Sequence, residues 1–411
     1  MNIMERYEKE IEGFIEDINT SQRPVVLFGA ATAGVLAQSV LNYMKVDIKC
    51  FGDNNEKKQG ILFSGLPVFS AKEIKNKYPD AIVFVCIASK DISQKIFSQL
   101  QELEYGSIMA IDTLAHMFLK YKLFKKISSE DAVEIMAIIS QIFYNNERKD
   151  TFIINAVELS VTEKCNLRCK DCANGMQYYK SPNHYKGEIM IDSFKRVAEV
   201  VDIVELVRIM GGESFLHPQL NYILDELSKI ENLNQIEIIT NGTILPDYKT
   251  IEAISKANAV LYVSNYGEIS VKKEQIKRIC DENNICCVFD SKINGWDDFG
   301  TFDNRGRTAE ENTIIFQQCI ACKNYNTLRN GMYYHCPRSA HGANLGAIAY
   351  NTGDCIDILD PSKSTEQLRN KLKEFIYNTK CITACDFCNS TGKANKLPRI
   401  PAAIQLKKGK A

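Results

Sequence analysis

Three cysteines fall within eight residues, Cys165-Asn-Leu-Arg-Cys169-Lys-Asp-Cys172, directly after the apolar run Ala156 to Val161. A loop this short can bring three thiolates onto one iron–sulfur cubane. It supplies one ligand fewer than a closed four-iron cluster takes, so one iron stays open. Zinc would need a fourth soft ligand, for which His184 is the candidate. A set of three buried structural thiols is opposed by Arg168, Lys170 and Asp171, which make the loop polar. Thirteen of the 15 cysteines lie after Glu163, a distribution that suits metal ligation in a reducing compartment better than a secreted disulfide scaffold.

The chain around this loop is long, 411 residues, which exceeds what one hydrophobic core supports and predicts two or three domains. Hydrophobic residues at 45% and charged residues at 25% exclude a disordered or fibrous chain. Fifty basic against 51 acidic residues give no bulk attraction for nucleic acid. With no apolar h-region near Met1 and no membrane-length apolar stretch, the expectation is a cytoplasmic protein without membrane or nucleic-acid partners.

Short β-branched runs alternate with helical patterns from Arg23 to Asp112, the signature of a parallel α/β sheet. The run Val25 to Phe28 leads into Gly29-Ala30-Ala31-Thr32-Ala33-Gly34 and a helix, a geometry whose backbone N–H groups suit a phosphate. A second run ends in Gly52-Asp53, placing Asp53 where a Rossmann unit keeps an acid for a ribose hydroxyl. Residues 1–125 are therefore expected to form a Rossmann-like domain, and 126–150 a helical connector packing between domains. In residues 151–300 strands are expected at Ala156–Val161, Ile203–Met210, Ile236–Thr240, Val260–Ser264 and Ile285–Phe289, with helices between them. This pattern predicts a partial TIM-like (β/α)6 barrel. Residues 301–411 read as a small cysteine-rich domain with a frayed basic end, Leu406 to Ala411.

The C-x3-C-x2-C loop after the first barrel strand resembles the radical S-adenosylmethionine (radical SAM) superfamily. That resemblance implies a 4Fe–4S cluster on Cys165, Cys169 and Cys172, with S-adenosylmethionine chelated to the open iron. Reductive cleavage then gives a 5′-deoxyadenosyl radical, the electron coming from a donor such as flavodoxin or ferredoxin. Met210-Gly211-Gly212-Glu213 stands where the family binds the methionyl amine, and Asn241 and Ser264, with Asn265, stand where it holds the ribose and carboxylate. Asp171 departs from the aromatic residue often found before the third cysteine, so adenine packing must come from elsewhere.

Cys319, Cys322, Cys336, Cys355, Cys381, Cys385 and Cys388 crowd the C-terminal part. The stretch from Cys319 through Gly331 to Cys336 resembles the start of a SPASM/Twitch auxiliary-cluster domain. The resemblance implies one auxiliary 4Fe–4S cluster on Cys319, Cys336, Cys385 and Cys388. Cys322 is an alternative to Cys319, Cys381 to either late ligand, and a zinc ribbon is an alternative to the cluster. The run Phe28-Gly29-Ala30, Phe51-Gly52-Asp53-Asn54 and Gly65-Leu66-Pro67-Val68 resembles the N-terminal domain of sugar acetyltransferases and nucleotide-sugar dehydratases.

Together these resemblances imply a radical SAM oxidoreductase acting on a carbohydrate or nucleotide-sugar, by alcohol oxidation or epimerisation. Cys355, Cys322, Cys286 and Cys287 are candidate hydrogen donors for the latter. His335, Arg338, His341 and Asn344 are candidate bases or substrate ligands, and Trp296, beside Asp297, Asp298 and Phe299, is a candidate sugar platform. Gly29 and Asp53 are the candidate substrate contacts of the first domain. His217 is expected to start a helix. Two other readings stand beside this one: a peptide-modifying radical SAM enzyme, and a non-enzymatic iron–sulfur sensor.

Overall fold

The computed structural model describes residues 13, 15–16, 18, 20–127, 129–145, 151–291 and 295–406. They form two compact units that divide between Thr151 and Phe152. The first contains, in chain order, β1 (Val25–Phe28), α1 (Thr32–Tyr43), β2 (Ile48–Gly52), β3 (Leu62–Phe63), β4 (Leu66–Phe69), α2 (Ala71–Lys77), β5 (Ile82–Val85), α3 (Lys90–Glu102), β6 (Ser107–Ala110), α4 (Asp112–Lys120) and α5 (Ser129–Asn145).

Every residue of β1 and β5 is buried, as strands covered on both faces must be. The sheet order is β3-β4-β2-β1-β5-β6, parallel throughout except for the β3/β4 hairpin. The sheet grows outward from β1 in one direction and then from β5 in the other, as a doubly wound sheet does. Val26, Phe28, Val83 and Val85 pack with Ile74 of α2 and with Ile96 and Leu100 of α3. Helix α5, expected as a connector between domains, packs instead on α1 and α4 of this unit. The remainder of that stretch, 146–150, lies outside the described residues.

The second unit continues with β7 (Ile153–Ile154), β8 (Val157–Thr162), α6 (Gly187–Val200), β9 (Ile203–Gly211), α7 (Leu220–Leu227), β10 (Leu233–Thr240), α8 (Tyr248–Ala257), β11 (Val260–Asn265), α9 (Lys273–Glu282) and β12 (Cys287–Ser291). Then follow α10 (Ala309–Gln318), α11 (Ile320–Asn324), β13 (Asn326–Arg329), β14 (Met332–Tyr334), α12 (Pro337–Asn344), β15 (Cys355–Asp357) and α13 (Thr365–Asn378). All five expected strands are present. Helix α6 begins at Gly187, and its Met190 and Ile191 join Phe194 and Val197 in the core.

The sheet runs β12-β11-β10-β9-β8-β13-β14-β15, with β7 on β9. Strands β8 to β12 are consecutive and parallel. The sixth strand of a (β/α)6 barrel does not follow β12 among the described residues. Instead β13 pairs parallel with the other edge of β8, and β14 and β15 extend that edge antiparallel. The boundary expected near residue 300 is therefore not a break in the sheet, since the cysteine-rich part shares its hydrogen-bond ladder. Side-chain capping fixes some helix starts: Asp247 accepts from Thr250 N at 2.7 Å ahead of α8, and Thr308 with Glu311 forms a capping box ahead of α10. No described helix is long and apolar enough to cross a membrane.

In the first unit Gly29 ends β1 at φ +126°, and a Cβ there would lie 2.6 Å from the Cys86 carbonyl oxygen. Gly29→Ala should lower stability by about 2 kcal/mol in urea unfolding. Gly106→Ala, whose Cβ would meet nothing within 4 Å, should stay within about 0.5 kcal/mol of the parent.

Candidate active site

Cys165, Cys169 and Cys172 line a cavity of about 500 Å³ together with Gly211, Gly212, Asn241, Ser264, Tyr266 and Trp296. It opens at the C-terminal ends of β8 to β11, where α/β folds build their sites. Burial pushes the Cys165 thiol up to about 12 and that of Cys169 to about 11, and the neighbouring sulfurs add repulsion. A bound cationic centre reverses this, because the ligand is the thiolate. His184 is hydrogen-bonded to Thr162 Oγ1 at 2.8 Å and does not line the cavity. Among the described residues no three His, Cys, Asp or Glu side chains converge tightly enough for one metal ion. Tetrahedral zinc needs its sulfurs ~2.3 Å from a single point, whereas a cubane spreads them over several irons. The donor set fits a cluster.

The two glycines are dictated by the same loop. A Cβ on Gly211, at φ +156°, would lie 2.1 Å from Thr162 O, and one on Gly212 2.2 Å from Lys164 O and 2.9 Å from Cys165 Cβ. Their bare backbone lets the end of β9 lie against the root of the cysteine loop, with Gly212 N donating to Thr162 O at 2.8 Å and Glu213 N to Lys164 O at 2.9 Å. Glu213 is fully buried and turned away from the cavity. Its carboxylate accepts from Phe215 N at 3.1 Å, Thr240 Oγ1 at 2.8 Å and Asn241 N at 2.8 Å. Burial still raises it to about 7. Glu213 thus ties the end of β10 to that of β9.

Asn241 Nδ2 reaches Asn166 Oδ1 at 3.0 Å and stands 3.8 Å from Cys165 Sγ. Ser264 lies on the cavity wall; Asn265 does not, its Oδ1 accepting from Gly267 N at 3.0 Å in a local turn. Trp296 is on the wall, edge-to-face with Tyr266 at 5.5 Å between centroids. Asp171 lines the same wall, and Tyr266 and Trp296 supply the aromatic surface that Asp171 does not. Tyr266 and Arg399 were not singled out from the sequence. Tyr266 follows the strand-end Ser264-Asn265 pair, a signal that was available, but Arg399 is lone and distant in sequence. His217 bonds Tyr185 O at 2.8 Å and accepts from Gln219 N at 3.1 Å; it does not start the next helix, whose N-cap is Gln219 with no side-chain cap bond.

A second cavity, about 220 Å³, is lined by Cys319, Cys322, Cys336, Cys385 and Cys388. Cys322 is within hydrogen-bonding reach of Cys319, Cys336 and Cys385, so five sulfurs contend for the four positions of a cluster. Cys381 packs on this cluster of side chains but does not line the cavity. Arg338 does line it. Its guanidinium donates to Gly300 O and Thr301 O, each at 2.7 Å, and lies over the Phe302 ring.

Two expectations are corrected. His335 lines neither cavity: it is buried and stacked on Phe375 at 4.0 Å, and burial lowers it to about 4. Cys355 sits on the edge strand β15, in a separate cavity with Lys371 and Phe375, and lines neither of the other two. His341 and Asn344 are consumed structurally. The His341 ring bonds Ser160 Oγ and Tyr179 OH, and Asn344 Nδ2 donates to Glu163 Oε1 at 2.7 Å. In the first unit the Asp53 carboxylate is likewise engaged, with Ala30 N at 3.0 Å, Asn55 N at 2.9 Å and Lys58 Nζ at 3.2 Å. It is not free for a ribose, and Gly29 serves the close approach of β1 to Cys86.

Residues 159–280, which carry the cysteine loop, the glycine pair and the ends of β10 and β11, match the family described as the Radical SAM superfamily. This stretch is a radical SAM domain. Such a domain takes a 4Fe–4S cluster and S-adenosylmethionine, and Cys165, Cys169 and Cys172 lie within the matched residues and line one cavity. Residues 2–109 match a family described as a C-methyltransferase C-terminal domain, not the acetyltransferase or dehydratase modules that their motifs resemble. The chain is 33% identical over 138 residues to a GTP 3′,8-cyclase of Clostridium acetobutylicum, covering 33% of this chain and 42% of that protein. It is 34% identical over 87 residues to the antilisterial bacteriocin subtilosin biosynthesis protein AlbA of Bacillus subtilis, 21% of this chain and 18% of that one. The chain thus spans less than half the length of these curated relatives. Among solved structures it resembles BtrN in complex with AdoMet and 2-DOIA, at 15% identity and a TM-score of 0.36, covering 60% of this chain and 96% of that one.

The packing of the glycine pair in the radical SAM domain has a measurable result. Gly212→Ala would push on Lys164 and Cys165, and after anaerobic reconstitution its iron and sulfide content should fall by about four per chain.

Proposed function

We propose that the chain is a radical SAM oxidoreductase that oxidises an alcohol carbon of a carbohydrate or nucleotide-sugar. The observation that carries this reading is a shared wall: Ala173, Asn174, Met210, Phe299 and Tyr325 line both the three-cysteine and the five-cysteine cavity. When bound, S-adenosylmethionine and the cluster of the first cavity supply the 5′-deoxyadenosyl radical that removes a hydrogen atom from substrate. Cys319, Cys336, Cys385 and Cys388 would hold an auxiliary 4Fe–4S cluster able to accept the remaining electron, with Cys322 the fifth sulfur. Oxidation is favoured over epimerisation because none of the candidate hydrogen donors lines the three-cysteine cavity: Cys355, Cys286 and Cys287 line neither cavity, and Cys322 lines only the five-cysteine one.

Oxidation also requires a proton acceptor. Glu158 of β8 lines the five-cysteine cavity, buried beside Arg208. Arg208 is paired with Glu237 and lies 5.1 Å from the centre of the Tyr325 ring. One cation between two carboxylates leaves Glu158 short of compensation, and burial raises it to about 8. Its basic form is then the charged one, favoured above that value.

The first unit is read as a Rossmann-like module, supported by its strand order. The resemblance to AlbA favours a second reading, modification of a peptide, over the 87 residues it covers.

Reconstituted protein reduced anaerobically with S-adenosylmethionine should release 5′-deoxyadenosine faster when a nucleotide-sugar panel is added, and give a product lacking two hydrogens. Stimulation by a peptide and not by sugars would replace the carbohydrate reading. The parent should carry about eight irons and Cys385→Ala about four, while Cys381→Ala keeps about eight. Turnover should rise with pH through about 8, where Glu158 loses its proton, and Glu158→Gln should flatten that limb and lower kcat by roughly 100-fold.

A further inference from the structure

The last described residues run back across the radical SAM site. Ile400 exchanges backbone hydrogen bonds with Trp296 at 2.8 and 2.9 Å, and Arg399 Nε lies 3.3 Å from Asp297 Oδ1. Arg399, Trp296 and Asp297 all line the three-cysteine cavity. Ala403, fully buried at φ 56°, then turns the chain onto the cysteine loop. There Lys170 N donates to Ile404 O at 2.7 Å and Leu406 N donates to Arg168 O at 2.8 Å. Leu406 is therefore paired and not frayed, while 407–411 lie outside the described residues.

These two backbone bonds flank Gln405, whose side-chain amide is used at both ends. Its Oε1 accepts from Arg168 N at 2.8 Å. Its Nε2 donates to Ala403 O at 2.7 Å and to Cys169 Sγ at 3.2 Å. The reverse orientation would set the amide oxygen against the Ala403 carbonyl oxygen and the amide N–H groups against the Arg168 N–H, acceptor facing acceptor and donor facing donor. The N–H aimed at the sulfur is thus fixed by its surroundings.

We propose that residues 404–406 are a strap that holds the cysteine loop, and that Gln405, through its bond to Cys169, is a positioning residue that sets the cluster's reduction potential. The proposal rests on the cluster being held by Cys165, Cys169 and Cys172. Reduction adds one electron, supplied by the external donor, to a centre already surrounded by thiolates. A hydrogen bond to a ligating sulfur stabilises that added charge more than it stabilises the oxidised form, and so raises the potential. Cys169 is only 8% exposed, so water cannot readily replace the amide donor. The strap also makes the loop's geometry depend on residues far away in sequence, Arg168 and Gln405 being 237 positions apart.

The test uses the full chain, reconstituted anaerobically, as parent, Gln405→Met and Leu406→Pro. Methionine keeps the length of the side chain and removes the donor; proline removes the Leu406 N–H and leaves the Gln405 side chain in place. The midpoint potential is read by dithionite titration of the electron paramagnetic resonance signal that responds to S-adenosylmethionine. Iron loss is read as the rate of transfer to a chelator. The expected results are a lower midpoint potential in Gln405→Met at unchanged iron content, and iron loss about tenfold faster in Leu406→Pro. A Gln405→Met potential equal to the parent's overturns the role of the sulfur bond, and an unchanged Leu406→Pro rate overturns the strap. A parent without the responsive signal overturns the cluster assignment itself, and is told apart from both by that absence.

Discussion

The radical SAM site depends on one close approach, the contact of the end of β9 with the root of the cysteine loop at Thr162 to Cys165. Two consecutive residues without side chains let the backbones touch, and their hydrogen bonds fix where the loop leaves β8. Glu213 extends the same arrangement one strand further, binding backbone and hydroxyl groups at the end of β10. The Gly-Gly-Glu segment is therefore at once a boundary of the ligand cavity and the joint that aligns three strand ends. Its side-chain-free positions serve the protein's own packing before they serve any ligand.

Beneath this rim the strands carry charge in an unusual place. Glu158 and Glu237 are buried on β8 and β10, with Arg208 of β9 mostly covered between them, where an apolar layer would be the less costly filling. Removing only Arg208 would leave two uncompensated carboxylates, so the three residues stand or fall together. An arrangement that costs desolvation energy and faces a cysteine-lined cavity is more readily understood as chemistry than as a source of stability.

Much of this was legible in the sequence where a residue's role follows from its position on a regular element. The five strands appeared as β-branched runs, and the polar residues ending them, Asn241 and Ser264, fell on the cavity wall. Of the late cysteines, Cys319, Cys322, Cys336, Cys385 and Cys388 line one cavity, while Cys355 and Cys381 do not. Roles set by tertiary contact were not legible. His335 and Cys355 stand next to informative neighbours in sequence, but the β14–β15 pairing carries Cys355 to the sheet edge, and Phe375 covers His335. Asp53 follows the expected strand, yet Lys58 and Ala30 occupy its carboxylate. Gln405 lies in a segment with no periodicity or motif, and only the folded chain shows what it touches. Glu158 sits in an apolar run, where a single acid reads as an exposed strand position.

The parallel pairing of β13 with β8 has a consequence for how the two sulfur-lined cavities relate. Cys165 follows one of these strands and Cys322 and Cys336 bracket the other and its hairpin partner, so the interval between them is a matter of ladder register and not of a hinge between lobes. Any change in that interval must then come from side-chain replacement along the shared wall, since sliding would require breaking a run of main-chain bonds.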